Sequence, residues 1–115
     1  MMNILIVDDD EDVLIRLERT LEAEGYSTTT AWSGREALSI ARKSRFDILL
    51  VDEHLADMES AIVIDKLRHL QPRAFLLLMQ AHKQGTKSSL HPGNEVVCKW
   101  EDDEVKARVR TSLAA

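Results

Sequence analysis

Apolar residues fall along this chain in two alternating rhythms. Unbroken apolar runs of about four to six residues, the mark of strands buried on both faces, alternate with stretches in which apolar positions recur three and four apart, as on a helix. Ile4 to Val7 reads as a first strand, and Val13, Leu14, Leu17 and Leu21 as the inner face of a helix that stops at Gly25. Tyr26 to Ala31, rich in threonine, reads as a second and more exposed strand. Ser33 is placed to cap a second helix that buries Ala37, Leu38 and Ala41, with Glu36 at the capping-box position. Phe46 to Val51 is a third strand, apolar on both faces and therefore central. A third helix is expected from about Ser60 to Leu70, burying Ile62, Val63 and Leu67 and stopped by Pro72. Phe75 to Met79 is a fourth strand and Val96 to Cys98 a short fifth, and Val105, Val109 and Leu113 mark a last helix. Such alternation predicts a single domain over residues 1–115, an α/β unit with a parallel sheet.

Three of the strands end on residues with chemistry. The first runs into Asp8, Asp9 and Asp10, the third into Asp52, and the fifth into Lys99. Ligands of open α/β sheets sit in the crevice outside the carboxyl ends of the strands. If these three strands are neighbours, several carboxylates and one ammonium converge there. Crowded carboxylates repel one another unless a divalent cation and a lysine balance them. That is the pattern of a protein that accepts a phosphoryl group on an aspartate. For Asp10, Glu11 and Asp12 a plainer role suffices, capping the first helix and complementing its dipole. His54, His69, His82 and His91 share no ligand spacing, which argues against zinc, and Cys98 reads as a small buried hydrophobe.

Composition narrows the classes further. With 44% hydrophobic and 30% charged residues the chain is globular, and no apolar run approaches the roughly 18 residues that span a membrane. The opening MMNILIVDDD lacks the basic segment of a signal peptide, and a single cysteine excludes an internal disulfide and fits a reducing cytoplasm. A net charge of −5, with scattered basic residues, argues against nucleic acid as a partner.

Taken together, ILIVDDDEDVL, FDILLVDEHLADM and VVCK resemble the receiver domain of two-component response regulators, over nearly the whole chain. The resemblance implies a flavodoxin-like (βα)5 fold, a doubly wound parallel sheet in strand order 2-1-3-4-5. It implies that Asp52 is the phosphoacceptor, a carboxylate nucleophile forming an acyl phosphate. Asp8, Asp9, Asp52 and the backbone carbonyl of His54 would hold Mg²⁺, a hard-oxygen site. Lys99 would pair with the phosphoryl oxygens, and Gln80 and Ala81 would contact or make room for them. The implied partners are a histidine kinase or phosphotransfer protein and an unidentified downstream protein.

The chain departs from the family pattern in four places. Gln80 stands where a Thr or Ser hydroxyl is usual, and Val96 where the switch aromatic is usual. Trp100 replaces the proline after the lysine, so a trans peptide is expected there and Lys99 is expected to approach Asp52 from a changed angle. Ala56 and Ser60 replace a proline and a glycine, which predicts a looser loop. Residues 82–94, HKQGTKSSLHPGN, carry no amphipathic pattern, so the fourth helix is expected to be short or absent and the segment a mobile loop. The sheet edge would then be open to a partner or a second copy, as in a homodimer. Two function classes compete: a phosphoryl receiver, and a degenerate receiver that binds proteins without phosphorylation. A nucleotide- or flavin-binding enzyme would need a glycine-rich loop where DDDED stands, and a phosphatase would need a positioned acid–base group.

Overall fold

Strands β1 (Asn3–Val7), β3 (Ile48–Asp52) and β4 (Phe75–Gln80) are nearly sealed from water because each has a strand on either side and helices above and below. The computed structural model describes residues 2–81 and 95–114. Its other elements are α1 (Glu11–Glu22), β2 (Ser27–Ala31), α2 (Gly34–Ala41), α3 (Ser60–Leu70), β5 (Glu95–Cys98) and α4 (Asp102–Ala114). All strands are parallel, in the order β2-β1-β3-β4-β5. The expectation of a reduced fourth helix and a mobile loop at 82–94 lies outside the described residues.

Side chains alternate across a strand, so each strand feeds two cores. Leu5, Val7, Leu49, Val51 and Leu78 face α2 and α3, with Ala37, Leu38, Val63 and Leu67. Ile4, Ile6, Leu50, Leu77 and Met79 face α1 and α4, with Leu14, Leu17, Val105 and Val109. The parallel register pairs Val7 with Val51, Asp52 with Met79, and Gln80 with Cys98. Asp8 and Asp52, each one residue past that first pair, therefore leave the sheet side by side.

The helix ends follow local chemistry. Asp10 caps α1, its carboxylate accepting from Asp12 N at 2.9 Å, as expected of the acidic stretch. Gly25 turns the chain from α1 into β2 at φ +94°, where an L side chain is strained. Ser33 caps α2 through Glu36 N at 3.0 Å. The Glu36 carboxylate accepts from Trp32 N rather than from the cap residue itself, one residue outside the capping box.

One core assignment is corrected. Ile62, expected inside α3, is 44% exposed, and Ile64 is buried with Val63 and Leu67. The run AIVI offers three successive aliphatics, and the close approach of Val63 to Gly34 sets the phase that turns Ile62 outward.

Candidate functional site: a carboxylate cluster bridged by lysine

At the carboxyl ends of β1, β3 and β5 a buried lysine joins two buried aspartates. Lys99 Nζ donates to Asp8 Oδ2 at 3.1 Å and to Asp52 Oδ2 at 3.3 Å. Asp8 is fully buried, Asp52 and Lys99 nearly so, and Asp9 is exposed beside them. Lys99 reaches this position without a cis peptide, of which the described residues contain none.

Each carboxylate is aimed by a backbone N–H of the turn that follows a strand. Asp8 Oδ1 accepts from Asp10 N at 2.9 Å, and Asp52 Oδ1 from His54 N at 3.2 Å. Asp9 Oδ2 accepts from Ala56 N at 3.1 Å, which ties the loop after β3 to the loop after β1. One oxygen from each of Asp8, Asp9 and Asp52 lies within 4.8 Å of the others.

The charges of this cluster do not balance by themselves. Three carboxylates face one ammonium, and burial pushes the Asp8 carboxyl up to about 6, aided by the charge of Asp52 and opposed by Asp10 N–H and Lys99. Burial lowers Lys99, but Asp52 and Asp8 outweigh it and hold the ammonium above its ordinary value. The donors are hard oxygens with two negative charges left over, a set that suits a small divalent cation and offers no soft ligand.

The remaining predicted site residues lie in or just after β3, β4 and β5. His54 exposes its side chain after Asp52. Gln80 ends β4, buried, and its carbonyl accepts from Lys99 N at 3.0 Å; Ala81 follows, exposed. Val96 is 1% exposed and packed in the core against the α2–α3 layer, so no aromatic ring occupies that position. A hollow of about 470 Å³ lined by Asn3, Arg45, Phe46 and Arg73 lies at the opposite ends of β1 and β3 and takes no part in the cluster.

Two residues escaped the sequence reading. Asp57, in the loop after β3, accepts from Gly34 N at 2.9 Å and Arg35 N at 3.0 Å, so it caps α2 from another element. This bond pair, with the single bond from Ala56 N to Asp9, fastens a loop expected to be loose. Arg16, which reads in sequence as an ordinary polar position of α1, reaches across to the Lys99 carbonyl and to Asp102.

Comparison with known proteins places these features. The family model for the response regulator receiver domain matches residues 4–95. A response regulator receiver protein of Anaeromyxobacter sp. is 39% identical over 82 residues, 71% of this chain and 34% of that protein. The transcriptional regulatory protein ZraR of Escherichia coli is 35% identical over 81 residues, 70% of this chain and 18% of its own length. The chain thus spans about a third or less of the length of these relatives. Among solved structures, a CheY-like receiver domain protein of Methanospirillum hungatei superposes with TM-score 0.87 at 27% identity, covering 99% of this chain and 94% of that one. The response regulator protein TrrA of Thermotoga maritima superposes with TM-score 0.82 at 28% identity, over 97% and 99% of the two chains. With its β2-β1-β3-β4-β5 sheet and its match over residues 4–95, the chain belongs to the response regulator receiver domain family.

Proposed function

We propose that this receiver domain accepts a phosphoryl group on Asp52 from the phosphohistidine of a kinase or phosphotransfer protein, with Mg²⁺ bound. The observation that carries the reading is the convergence of Asp8, Asp9 and Asp52 oxygens within 4.8 Å, with the Lys99 ammonium across two of them. In the transfer an Asp52 carboxylate oxygen attacks phosphorus and the P–N bond breaks. The electron pair of that bond returns to the donor imidazole, and an acyl phosphate results.

Asp8, Asp9, Asp52 and the His54 carbonyl would hold the ion, which when bound offsets charge on the phosphoryl oxygens. The TrrA relative was solved in complex with Mg²⁺-BeF, which supports this assignment. Lys99 already stands within hydrogen-bond reach of Asp52, and its ammonium would turn from the carboxylates to the incoming phosphoryl oxygens. Gln80, the last residue of β4, accepts from Lys99 N through its carbonyl, and Ala81 follows it; both would contact or make room for the phosphoryl oxygens. Slow hydrolysis of the acyl phosphate is the one turnover expected, so the domain acts as a signalling module rather than as an enzyme.

The output differs from the usual one. Val96, sealed in the core, cannot supply a moving aromatic side chain, so the signal would pass by another contact to a downstream protein or a second copy. The same residue favours the alternative reading, an interaction module that works without phosphorylation. No helix of the described residues is long and apolar enough to cross a membrane, consistent with a cytoplasmic place for this exchange. The deciding experiment is intact mass after incubation with acetyl phosphate and Mg²⁺, beside Asp52→Asn. A gain of about 80 Da, one phosphoryl group, that the variant loses establishes the receiver. No gain with Mg²⁺ binding intact favours the interaction module.

A further inference from the structure

Trp100, which follows Lys99, has two cations over its ring. The guanidinium carbon of Arg16 lies 5.3 Å from its ring centroid, and Lys99 Nζ lies 5.8 Å from the same centroid. The same guanidinium donates to the Lys99 carbonyl oxygen and forms an ion pair with Asp102, the first residue of α4. Asp102 is held in turn by Thr20, whose hydroxyl donates to Oδ2 at 3.3 Å. One side chain from the middle of α1 therefore grips the backbone, the ring and the far end of the turn that joins β5 to α4.

This turn has to be held by something. A lysine ammonium rides on four rotatable side-chain bonds, so its position between two carboxylates is only as definite as the backbone that carries it. A proline after the lysine would lock one backbone angle; tryptophan does not. The planar fork of arginine can bind a carbonyl and a carboxylate while its face lies on an aromatic ring, which a lysine cannot do. We propose that Arg16 is a positioning residue that, through the Lys99 carbonyl, Trp100 and Asp102, sets the Lys99 ammonium between Asp8 and Asp52. Its effect on phosphoryl transfer rests on the function proposed above; the placement of Lys99 does not.

The test uses the whole chain and two readouts. The first is the rate at which acetic anhydride acylates Lys99, followed by peptide mass, without Mg²⁺. The second is the initial rate of Asp52 labelling by acetyl phosphate with Mg²⁺. In Arg16→Met, with melting checked, Lys99 acylation should rise and labelling fall, each by about tenfold, since small misplacement of a reacting group is costly. Arg16→Lys should resemble Arg16→Met, and Trp100→Phe should stay near the parent. Parent rates of acylation in a folded Arg16→Met would overturn the proposal. Should Arg16→Met fail to fold, Trp100→Leu takes its place: faster acylation supports the proposal and an unchanged rate overturns it. A parent that acetyl phosphate never labels would sink the proposed function, while the acylation rates would still decide the role of Arg16.

Discussion

Lys99 Nζ lies 3.3 Å from Asp52 Oδ2 and 3.1 Å from Asp8 Oδ2, so one buried ammonium holds two strand ends together. Removing one partner of a buried ion pair leaves charge uncompensated, at about 3 kcal/mol or more. Lys99→Met should therefore lower the stability of the metal-free protein by about 3 kcal/mol at pH 7.5, read by urea unfolding. Mg²⁺ should restore part of that loss by supplying positive charge to the same oxygens. A variant as stable as the parent in EDTA would mean that the carboxylates do not need the lysine.

The raised Asp8 carboxyl makes a second, pH-dependent statement. Its folded value is about 6 against an ordinary 3.8, so between those values the folded protein binds more protons than the unfolded one. Stability from this group is full below the ordinary value and is lost as pH rises through about 6. In EDTA the parent should thus lose roughly 2–3 kcal/mol between pH 4 and pH 7, a slope that Asp8→Asn removes. Added Mg²⁺ should stabilise the parent above pH 6 and have little effect at pH 4.5, where protons compete for Asp8. A flat profile in EDTA would show that Asp8 ionises without cost.

At Gly34, α2 packs tightly against Val63 of α3. A Cβ at this position would lie 2.7 Å from Val63 Cγ2 and 3.3 Å from Met58 Sδ, and Val63 is fully buried. Gly34→Ala should cost about 1–3 kcal/mol despite the better helix propensity of alanine, because the overlap falls on a packed side chain. Combining it with Val63→Ala should cost less than the two separate changes together, which a double-mutant cycle would measure. Simple additivity would place the strain elsewhere.

The legibility of this fold in the sequence varied with the range of the interactions. Strands buried on both faces are continuous apolar runs, and three of them end visibly on Asp8, Asp52 and Lys99, so the sheet and the heart of the candidate site could be read directly. Ile62 was misread because an aliphatic run does not fix helix phase; a contact with a glycine from another element does. Arg16 and Asp57 were invisible for a related reason. Both look like ordinary solvated charges, and what they bind is brought to them only by the tertiary fold. Gln71 belongs with them: its amide accepts from Phe46 N and donates to the carbonyls of Ala41 and Ser44.

Asp57 offers the cleanest test of such a long-range cap. Its two carboxylate oxygens take the backbone N–H groups of Gly34 and Arg35, the first residues of α2, at 2.9 and 3.0 Å. Burial raises its carboxyl, but the N–H groups of Gly34, Arg35 and Asp57 and the charge of Arg35 together outweigh it and hold the group below its ordinary 3.8. A depressed folded value stabilises fully above the ordinary one and is lost only as pH falls through the folded one. Asp57→Ala should cost about 1 kcal/mol, as loss of an N-cap does, with a gap to the parent that is constant from pH 5 to pH 8. The gap should close only as pH falls below the ordinary 3.8, where the parent carboxylate takes up its proton. Because the same bonds fasten the loop after Asp52, the backbone amide of His54 should exchange faster in the variant. A gap that already closes near pH 6, or unchanged exchange at His54, would separate this cap from the loop it is proposed to hold.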